Sequence, residues 1–398
     1  MLAPAKRNAP GFRVWAEVSL SALQQNLRSI QKHIQKAAPL GRAPGVLAVV
    51  KANAYGHGAV PVAKALAQAG AQGFGVACVS EAIELRESGI RNPILLMGGY
   101  LPGEEREVVE FNITPAISNC RQLGPLNKAA SRGKAKRNSA FPVQAKFNTG
   151  MNRMGLAPSD VNCLARTMAD CPNLRLSATF THFASSELLD GSQTDEQRRL
   201  FQGTLIEMHK LGLAPGSIHM ANSAAIVARP ETWGDMVRPG AVLYGCHVQF
   251  DPLGRQSELE AALPVKAVLS LRTKIVGIRD VAAGEAVGYD GRFITNRPTR
   301  LAVIAAGYAD GLMRGLSNQG TVLVLGRRAP IVGQISMDMA MVDVTGIAGV
   351  ALGETVTIIG EDGGRSQSAG EVASVVNTVV QDVLCALGSR VHRIYLKN

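Results

Sequence analysis

The side chain with the clearest chemical potential is a lysine at the end of an apolar run. Lys51 directly follows residues 46–50 (VLAVV), whose length and β-branched content are typical of a buried strand. A lysine held at the mouth of an apolar interior can act as a nucleophile and form a Schiff base with a carbonyl compound. Most lysines are solvated surface groups, and the attachment to a buried strand argues against that interpretation for Lys51.

Polar side chains also stand at or near the ends of four later apolar runs. They are Arg153, His182, Asn222, Ser223 and Arg238. In (β/α)8 enzymes, the residues that bind and react lie at the carboxyl ends of the barrel strands. This distribution is therefore the one expected for an enzyme site at the mouth of a barrel.

The elements that must position these residues alternate between short apolar runs and amphipathic segments. The apolar runs cover residues 46–50, 73–78, 93–97, 113–117, 142–147, 174–181, 217–220 and 237–244. Between most of them lie segments of helical periodicity, such as 60–69 and 81–87. The repeated alternation predicts a (β/α)8 barrel, and a doubly wound open sheet remains the alternative.

The pattern changes after about residue 262. Apolar and polar residues alternate over 269–275, and β-type runs follow at 301–305, 320–325, 340–344 and 355–359. Ser368 and Glu371 then form a capping-box pattern before an apolar stripe up to Leu387, which predicts one closing helix. The predicted fold class is α/β, with an N-terminal extension (1–14), a (β/α)8 TIM barrel (15–261) and a C-terminal mostly β domain (262–398).

Bulk properties argue against several classes of protein. The formal net charge is +11, but the most basic stretch, residues 132–137 in a predicted loop, is short and lacks aromatic residues. The positive charge therefore favours the binding of small anionic ligands over the binding of nucleic acid. The six cysteines form no CxxC pair and no metal-ligand pattern, which predicts free thiols in a reducing compartment and no metal site.

The sequence also bears on location. The basic N-terminal residues 1–13 are not followed by the apolar segment of a signal peptide. No stretch approaches the ~20 apolar residues of a membrane span. The cytoplasm is therefore the expected location, with no membrane partner.

Residues 50–58 (VKANAYGHG) closely resemble the cofactor-lysine motif of the alanine racemases, a family of fold-type III pyridoxal-phosphate enzymes. The resemblance extends over nearly the whole chain after about residue 13. Its further motifs are residues 146–155, 181–184, 221–224, 238–245, 307–311, 336–338 and 390–395. It implies the barrel fold, pyridoxal 5'-phosphate as cofactor and the interconversion of L-alanine and D-alanine.

The resemblance also implies roles for individual residues. Lys51 would hold the cofactor and act as one of two bases, with Tyr289 as the base on the opposite face of the substrate. Arg238 would face the pyridine nitrogen, and because a guanidinium keeps its proton, that nitrogen would stay unprotonated. The other residues implied to bind the cofactor are Tyr55, Arg153, His182, Asn222, Ser223, Gly240, Ala241 and Gln381.

The substrate side of the site is implied in the same way. Arg153 would reach the substrate carboxylate, and Lys146 matches a lysine that is carbamylated in some family members. Tyr308, Met337 and Asp338 would contact the substrate or line its entrance. In the family, the second domain of one subunit completes the active site of its partner. The resemblance therefore implies a homodimer in which Met337 and the tyrosine base act across the interface.

Two positions depart from the family pattern. Gln381 stands where many members have a tyrosine that contacts the phosphate, and Asn148 replaces an acidic residue near Lys146. The first departure leaves open a racemase of broader specificity that also accepts serine and other amino acids. Basic amino-acid decarboxylases share the layout only, and the context of Tyr289 favours racemisation. A carrier that binds the cofactor without turnover is disfavoured because the C-terminal domain with Tyr289 is present.

Overall fold

The computed structural model describes residues 11–38, 43–133 and 140–397. Most of the predicted N-terminal extension and of the basic stretch 132–137 lies outside the described residues. By its internal contacts the chain divides into two compact units. The barrel unit comprises Ala22–Ala54 and Gly58–Lys266, and the β unit comprises the described residues up to Ser21, Tyr55–His57 and the chain from Ala267 onward.

The barrel unit contains an eight-stranded sheet in which every pairing is parallel. The first strand of the chain, β1 (Val14–Ser19), lies outside this sheet. The strands of the sheet are β2 (Gly45–Val49), β3 (Gly73–Val76), β4 (Ile94–Leu96), β5 (Thr114–Ile117), β6 (Phe141–Lys146), β7 (Leu174–Phe180), β8 (Ser217–His219) and β9 (Met236–Val237). Beside the end strands β8 and β9, Asp235 N donates to Ile218 O at 2.7 Å and Arg238 N donates to Ala221 O at 3.0 Å. The nearly closed ring confirms the predicted barrel and excludes an open doubly wound sheet.

Helices lie between most of the barrel strands. They are α1 (Leu20–Ala37), α2 (Ala59–Gln68), α3 (Val79–Glu87), α4 (Glu105–Glu110), α5 (Leu123–Arg132), α6 (Val161–Ala169), α7 (Ser192–Lys210), α8 (Ser223–Ala228) and α9 (Gln256–Ala262). The predicted amphipathic segments are α2 and α3, which bury Val62, Leu66, Ala82 and Leu85. No helix in the described ranges is both long and apolar enough to span a bilayer.

The β unit contains a ring of six antiparallel strands, with short strands attached. In chain order the strands of this unit after β1 are β10 (Leu269–Val281), β11 (Ala286–Val287), β12 (Phe293–Ile294), β13 (Thr299–Ile304), β14 (Thr321–Val324), β15 (Arg327–Val332), β16 (Ala340–Asp343), β17 (Thr355–Asp362), β18 (Arg365–Gln367) and β19 (His392–Leu396). The ring runs β10–β13–β16–β15–β14–β17 and returns to β10. Strand β15 has no counterpart among the predicted runs because Arg327, Arg328 and Pro330 interrupt its apolar pattern.

Strand β1 lies in the β unit, although the sequence pattern places the start of the barrel at residue 15. It pairs antiparallel with β10, with Val14 opposite Thr273, and parallel with β19, with Trp15 opposite His392. Trp15 is almost fully buried there. The contact-based division after Ser21 differs from the predicted boundary because these partners are distant in sequence and leave no trace in local periodicity.

The predicted closing helix is in fact two helices. The first, α10 (Ala369–Val375), begins at the predicted capping box, where Ser368 Oγ accepts a hydrogen bond from Glu371 N at 3.0 Å. Asn377 then has a φ of 53°, in the left-handed region that interrupts a helix. The second helix, α11 (Val380–Cys385), follows, and Val379 between the two is exposed.

Candidate active site

Four predicted site residues lie at one end of the barrel. Lys51 comes shortly after β2, Lys146 ends β6, His182 comes shortly after β7, and Arg238 follows β9. Since the strands run parallel, their carboxyl ends meet at the same rim. The charges of Lys51, Arg153 and Arg238 act on both Lys146 and His182, so the five groups lie within electrostatic reach of one another.

The backbone that follows Lys51 winds in the left-handed sense. Ala52, Asn53, Ala54 and Tyr55 have φ values of 52°, 52°, 54° and 51°. For residues other than glycine this conformation costs about 1–2 kcal/mol per residue, so four in succession need support from neighbouring groups. Strain of this kind is typical of functional sites. The sequence gives no sign of the turn, because it contains no glycine among these four residues.

Two side chains support this left-handed turn. The carboxylate of Glu81 accepts from Ala52 N at 2.6 Å and from Ala77 N at 2.7 Å, which ties the turn to the end of β3. Asn53 Oδ1 accepts from Ala59 N at 2.7 Å, at the start of α2. The backbone next to Lys51 is thus fixed from two sides. Glu81 is a site-supporting residue that no sequence motif indicated.

Arg238 is buried with its guanidinium inside the barrel. It donates to Thr181 O at 2.8 Å and Met220 O at 2.9 Å. It also faces Nδ1 of His219 at 2.7 Å and Nδ1 of His182 at 3.3 Å. With these acceptors already in place, the guanidinium is held in one orientation.

The two histidines that face Arg238 are neutral. A guanidinium has only donors, so the nitrogen of each ring that faces it must accept. Burial and the charge of Arg238 lower the pKa of both His182 and His219 well below its usual value. The Nε2–H of His219 then donates to Gln144 Oε1 at 3.0 Å, and its ring stacks on Phe180 at 4.7 Å. The sequence motifs indicated His182 but missed His219, whose only signal is its place in the seventh apolar run.

Lys146 is buried among positive charges. Its burial, followed by the charges of Arg153, Arg238 and Lys51, lowers the pKa of Lys146 to about 8. Among the described residues, no acidic group contributes to this shift. A small cavity beside it is lined by Lys146, Phe147, Asn148, Met151, Arg153, Met154 and His182. The mouth of the barrel is therefore a cationic environment that favours anionic ligands.

Arg153 lies on a loop that Asn148 organises. Asn148 Oδ1 accepts from Asn152 N at 2.8 Å, and its Nδ2 donates to Asn152 Oδ1 at 2.9 Å. Gly155 has a φ of 136°, and a Cβ there would lie 2.6 Å from Asn148 N. The Asn148 amide thus shapes the loop without adding a negative charge near Arg153.

The residues implied to bind the cofactor phosphate lie after β8 and β9. Ser223 Oγ accepts from Gly240 N at 2.9 Å, which joins these two segments. Ala241 begins a short 3-10 turn that follows directly. Asn222 Oδ1 accepts from Ala225 N at 3.1 Å and caps α8, so its side chain also serves the local fold.

In the β unit, Tyr308 and Met337 are held side by side. Tyr308 N donates to Ser336 O at 3.1 Å, and a Cβ on Gly307 would lie 2.3 Å from the Met337 carbonyl, so only glycine fits there. Both Tyr308 and Met337 are exposed. Asp338, implied to contact substrate, pairs with Arg390 at 2.7 Å in this structure.

The three remaining predicted residues also lie in the β unit. Tyr289 is 68% exposed on the turn between β11 and β12. Gln381 is half-buried on α11. Tyr55 is buried, and this burial, with the nearby Cys385 thiol, raises the pKa of Tyr55 to about 12. Tyr55 therefore remains a neutral hydrogen-bond donor at neutral pH.

Comparisons with known proteins agree with this architecture. The family model for the alanine racemase N-terminal domain matches residues 18–248, and the model for its C-terminal domain matches residues 268–395. The alanine racemase of Halothermothrix orenii is 37% identical over 381 residues, which are 96% of this chain and 96% of that protein.

Solved structures show the same likeness. Alanine racemase from Streptomyces lavendulae has a TM-score of 0.87 at 31% identity and covers 98% of each chain. The Bartonella henselae alanine racemase with covalently bound pyridoxal phosphate has a TM-score of 0.83 at 32% identity, over 97% of this chain and 100% of that one. Both domain models and the near-full-length relatives place the chain in the alanine racemase family.

Proposed function

We propose that the protein is an alanine racemase that uses pyridoxal 5'-phosphate to interconvert L-alanine and D-alanine. The single observation that carries this proposal beyond family membership is the buried Arg238 between two neutral histidines, at the same barrel rim as Lys51. A fixed donor suits a cofactor ring nitrogen that must stay unprotonated, and the nearby lysine suits covalent attachment.

The chemistry of the donor set fits this cofactor. The Ser223 hydroxyl and the Ala241 backbone N–H offer hydrogen-bond donors for a phosphate, in the region after strands 7 and 8 where barrels commonly bind one. Gly240, whose N–H donates to Ser223 Oγ, holds these two segments together. Tyr55 stays protonated and can donate as well. His182, Asn222, Arg153 and Gln381 complete the proposed binding set. When bound, pyridoxal phosphate delocalises the electron pair left on the substrate Cα after proton removal.

Two of the chain's own groups would handle the proton. Racemisation requires removal on one face of Cα and delivery on the other, so a base is needed on each side. We assign Lys51 to one face and Tyr289 to the other. Arg153 would bind the substrate carboxylate through its planar donors, while Tyr308, Met337 and Asp338 would limit the space for the substrate side chain.

The proposed function is tested by a turnover assay on purified protein with added pyridoxal phosphate. L-alanine, L-serine and several larger amino acids are supplied separately, and the D-isomers are measured by chiral chromatography. Strong preference for alanine supports the proposal. Comparable turnover of several amino acids would instead identify a racemase of broader specificity. Bound cofactor without turnover of any amino acid would contradict the racemase proposal and favour a carrier.

We also propose that the protein is a homodimer in which residues 262–398 of one subunit complete the partner's active site. The support is a set of large apolar and aromatic side chains on the β unit that a lone chain would leave in water. Its exposed members are Tyr289, Ile294, Tyr308, Met337, Met339 and Val379. The cytoplasm is the proposed location, since all six cysteines lie in described segments and are free thiols.

Shared active sites predict that two inactive variants restore each other. A dimer of one Lys51→Ala subunit and one Tyr289→Phe subunit would hold one intact site, so a fully exchanged mixture should regain about a quarter of wild-type activity. The mixture is measured after subunit exchange, verified by mass spectrometry of differently tagged chains. Continued inactivity in mixed dimers would indicate that each active site is built from a single chain.

We propose further that Lys146 is carbamylated. A neutral amine adds CO2 to form a carbamate and release a proton, and the lowered pKa of Lys146, about 8, increases its neutral fraction as the pH rises through that value. The new negative charge would relieve the cationic cluster beside Arg153. We expect a carbamate signal by 13C NMR in 13C-bicarbonate, stronger at pH 8.5 than at pH 6.5, and absent in Lys146→Arg. An equal signal in the variant would assign the carbamate to another amine.

A further inference from the structure

The turn that carries Tyr289 has an unusual backbone. Gly288, Asp290 and Gly291 have φ values of 74°, 60° and 55°. Asp290 is the only one of these three with a side chain, and it therefore bears the strain of the left-handed region. Because Tyr289 is exposed in the single chain, contacts of its side chain within that chain do not hold the turn in place.

Three side chains of the β unit form a chain of hydrogen bonds that ends on this turn. Arg314 donates to Gln334 Oε1 at 2.7 Å, and Gln334 Nε2 donates to Asp290 Oδ2 at 2.9 Å. Gln334 is buried, whereas Arg314 and Asp290 are exposed. We call this set the Arg314–Gln334–Asp290 relay.

The relay has a fixed polarity. Arg314 can only donate and the Asp290 carboxylate can only accept, so the amide of Gln334 must direct its oxygen to Arg314 and its nitrogen to Asp290. A rotated amide would lose both hydrogen bonds. Both bonds involve a charged group, and such bonds are stronger than bonds between neutral groups.

The backbone on the other side of Tyr289 packs against the same region. A Cβ on Gly288 would lie 2.7 Å from Met341 Cε and 3.4 Å from Gln334 N. The residue before Tyr289, Gly288, therefore packs against the backbone at Gln334. The residue after it, Asp290, accepts a hydrogen bond from the Gln334 side chain. Both neighbours of Tyr289 in the chain, Gly288 and Asp290, are therefore positioned by contacts with the segment of one buried residue, Gln334.

We propose that the Arg314–Gln334–Asp290 relay is a positioning device that fixes the backbone of Tyr289 and so aims its phenol at the substrate Cα. This inference rests on the proposed role of Tyr289 as a base. The relay also holds the Asp290 carboxylate in a hydrogen bond, with Arg292 Nε 3.7 Å away.

The polarity of the relay allows a test by rescue. Gln334→Glu keeps the size of the side chain and its acceptor for Arg314, but places two carboxylates against each other. Asp290→Asn alone retains an acceptor oxygen, and combined with Gln334→Glu it supplies a donor that restores the lost bond. We expect kcat to fall about tenfold in Gln334→Glu, with a smaller change in KM, and to recover to within about threefold in the double variant. Gln202→Glu, the same change at an exposed position of helix α7, is the control and should leave kcat unchanged.

Isotope effects separate positioning from general damage. The two enantiomers are equal in free energy, so kcat/KM must fall equally in both directions. The primary kinetic isotope effect, measured with substrate deuterated at Cα, should rise in Gln334→Glu only in the direction in which Tyr289 removes the proton. The absorbance of bound cofactor should match the wild type in both variants, and any fall in melting temperature in Gln334→Glu should be reversed in the double variant.

If the wild-type enzyme racemises alanine, two outcomes would contradict the proposed positioning role of the relay. One is normal kcat in Gln334→Glu, and the other is failure of Asp290→Asn to improve that variant. If the wild type itself has no racemase activity, it is the proposed function that fails, and the assay described above detects this separately.

Discussion

Lys51→Ala is expected to abolish the visible absorbance of lysine-bound cofactor and to reduce racemisation by a factor of at least about 10³. The substitution removes the amine proposed for covalent attachment and also one of the two proposed bases. Absorbance spectra after incubation with pyridoxal phosphate and gel filtration measure the first effect. The control is Lys64→Ala, which removes an exposed lysine from α2 of the same unit and should leave the spectrum unchanged.

A second lysine lies close enough to confuse this result, and the structure shows how to separate the two. Lys146 is within electrostatic reach of Lys51 and has a lowered pKa of about 8, so it is also a reactive amine. Borohydride reduction followed by peptide mapping should place the cofactor on Lys51 alone. Cofactor attached to Lys146 in the wild-type protein, or an unchanged absorbance band in Lys51→Ala, would contradict the assignment of Lys51.

Tyr289→Phe is expected to keep the absorbance of the wild type and to lose racemisation by about 10²–10⁴-fold, the usual range for removal of a general acid–base group. The change deletes only the hydroxyl, and Tyr289 is 68% exposed, so stability should be little affected. Turnover in both directions and the melting temperature are measured together. Tyr395→Phe removes a hydroxyl from strand β19 of the same unit and is the matched control.

The interpretation depends on separating loss of the base from loss of binding. If Tyr289 acts on the proton alone, kcat should fall while the KM for alanine changes much less. A near-normal rate in both directions would remove Tyr289 from the mechanism. A large rise in KM with normal kcat would reassign it to substrate binding.

Local patterns in the sequence were enough to predict the barrel. Each buried parallel strand is a short continuous apolar run, and the segments between runs have helical periodicity, so strand and helix alternate visibly along the chain. The residues at the strand ends, such as Lys51 and Arg238, could be assigned to one rim because parallel strands share their direction. Roles for Tyr289 and Met337 came from motif resemblance, since neither residue has a periodic pattern that distinguishes it from a surface side chain.

Other features depend on contacts between residues that are far apart in sequence. His219 joins Arg238 across two strands, and Glu81 reaches back to the left-handed turn after Lys51. Strand β1 pairs with β10 and β19, which no local pattern could assign. The closing apolar stripe divides into two helices at Asn377, because a continuous stripe shows which residues are apolar but not where the backbone leaves the helix.

By itself, therefore, the sequence determined the alternation of strands and helices in the barrel, the chemical groups at the strand ends and the family resemblance that implies the reaction. These properties are encoded in side-chain type and spacing over a few residues. The tertiary structure alone decided the neutral state of the histidines beside Arg238, the lowered pKa of Lys146 and the support of the strained turn. These depend on burial and on charges brought together from distant segments, and both arise only when the chain has folded.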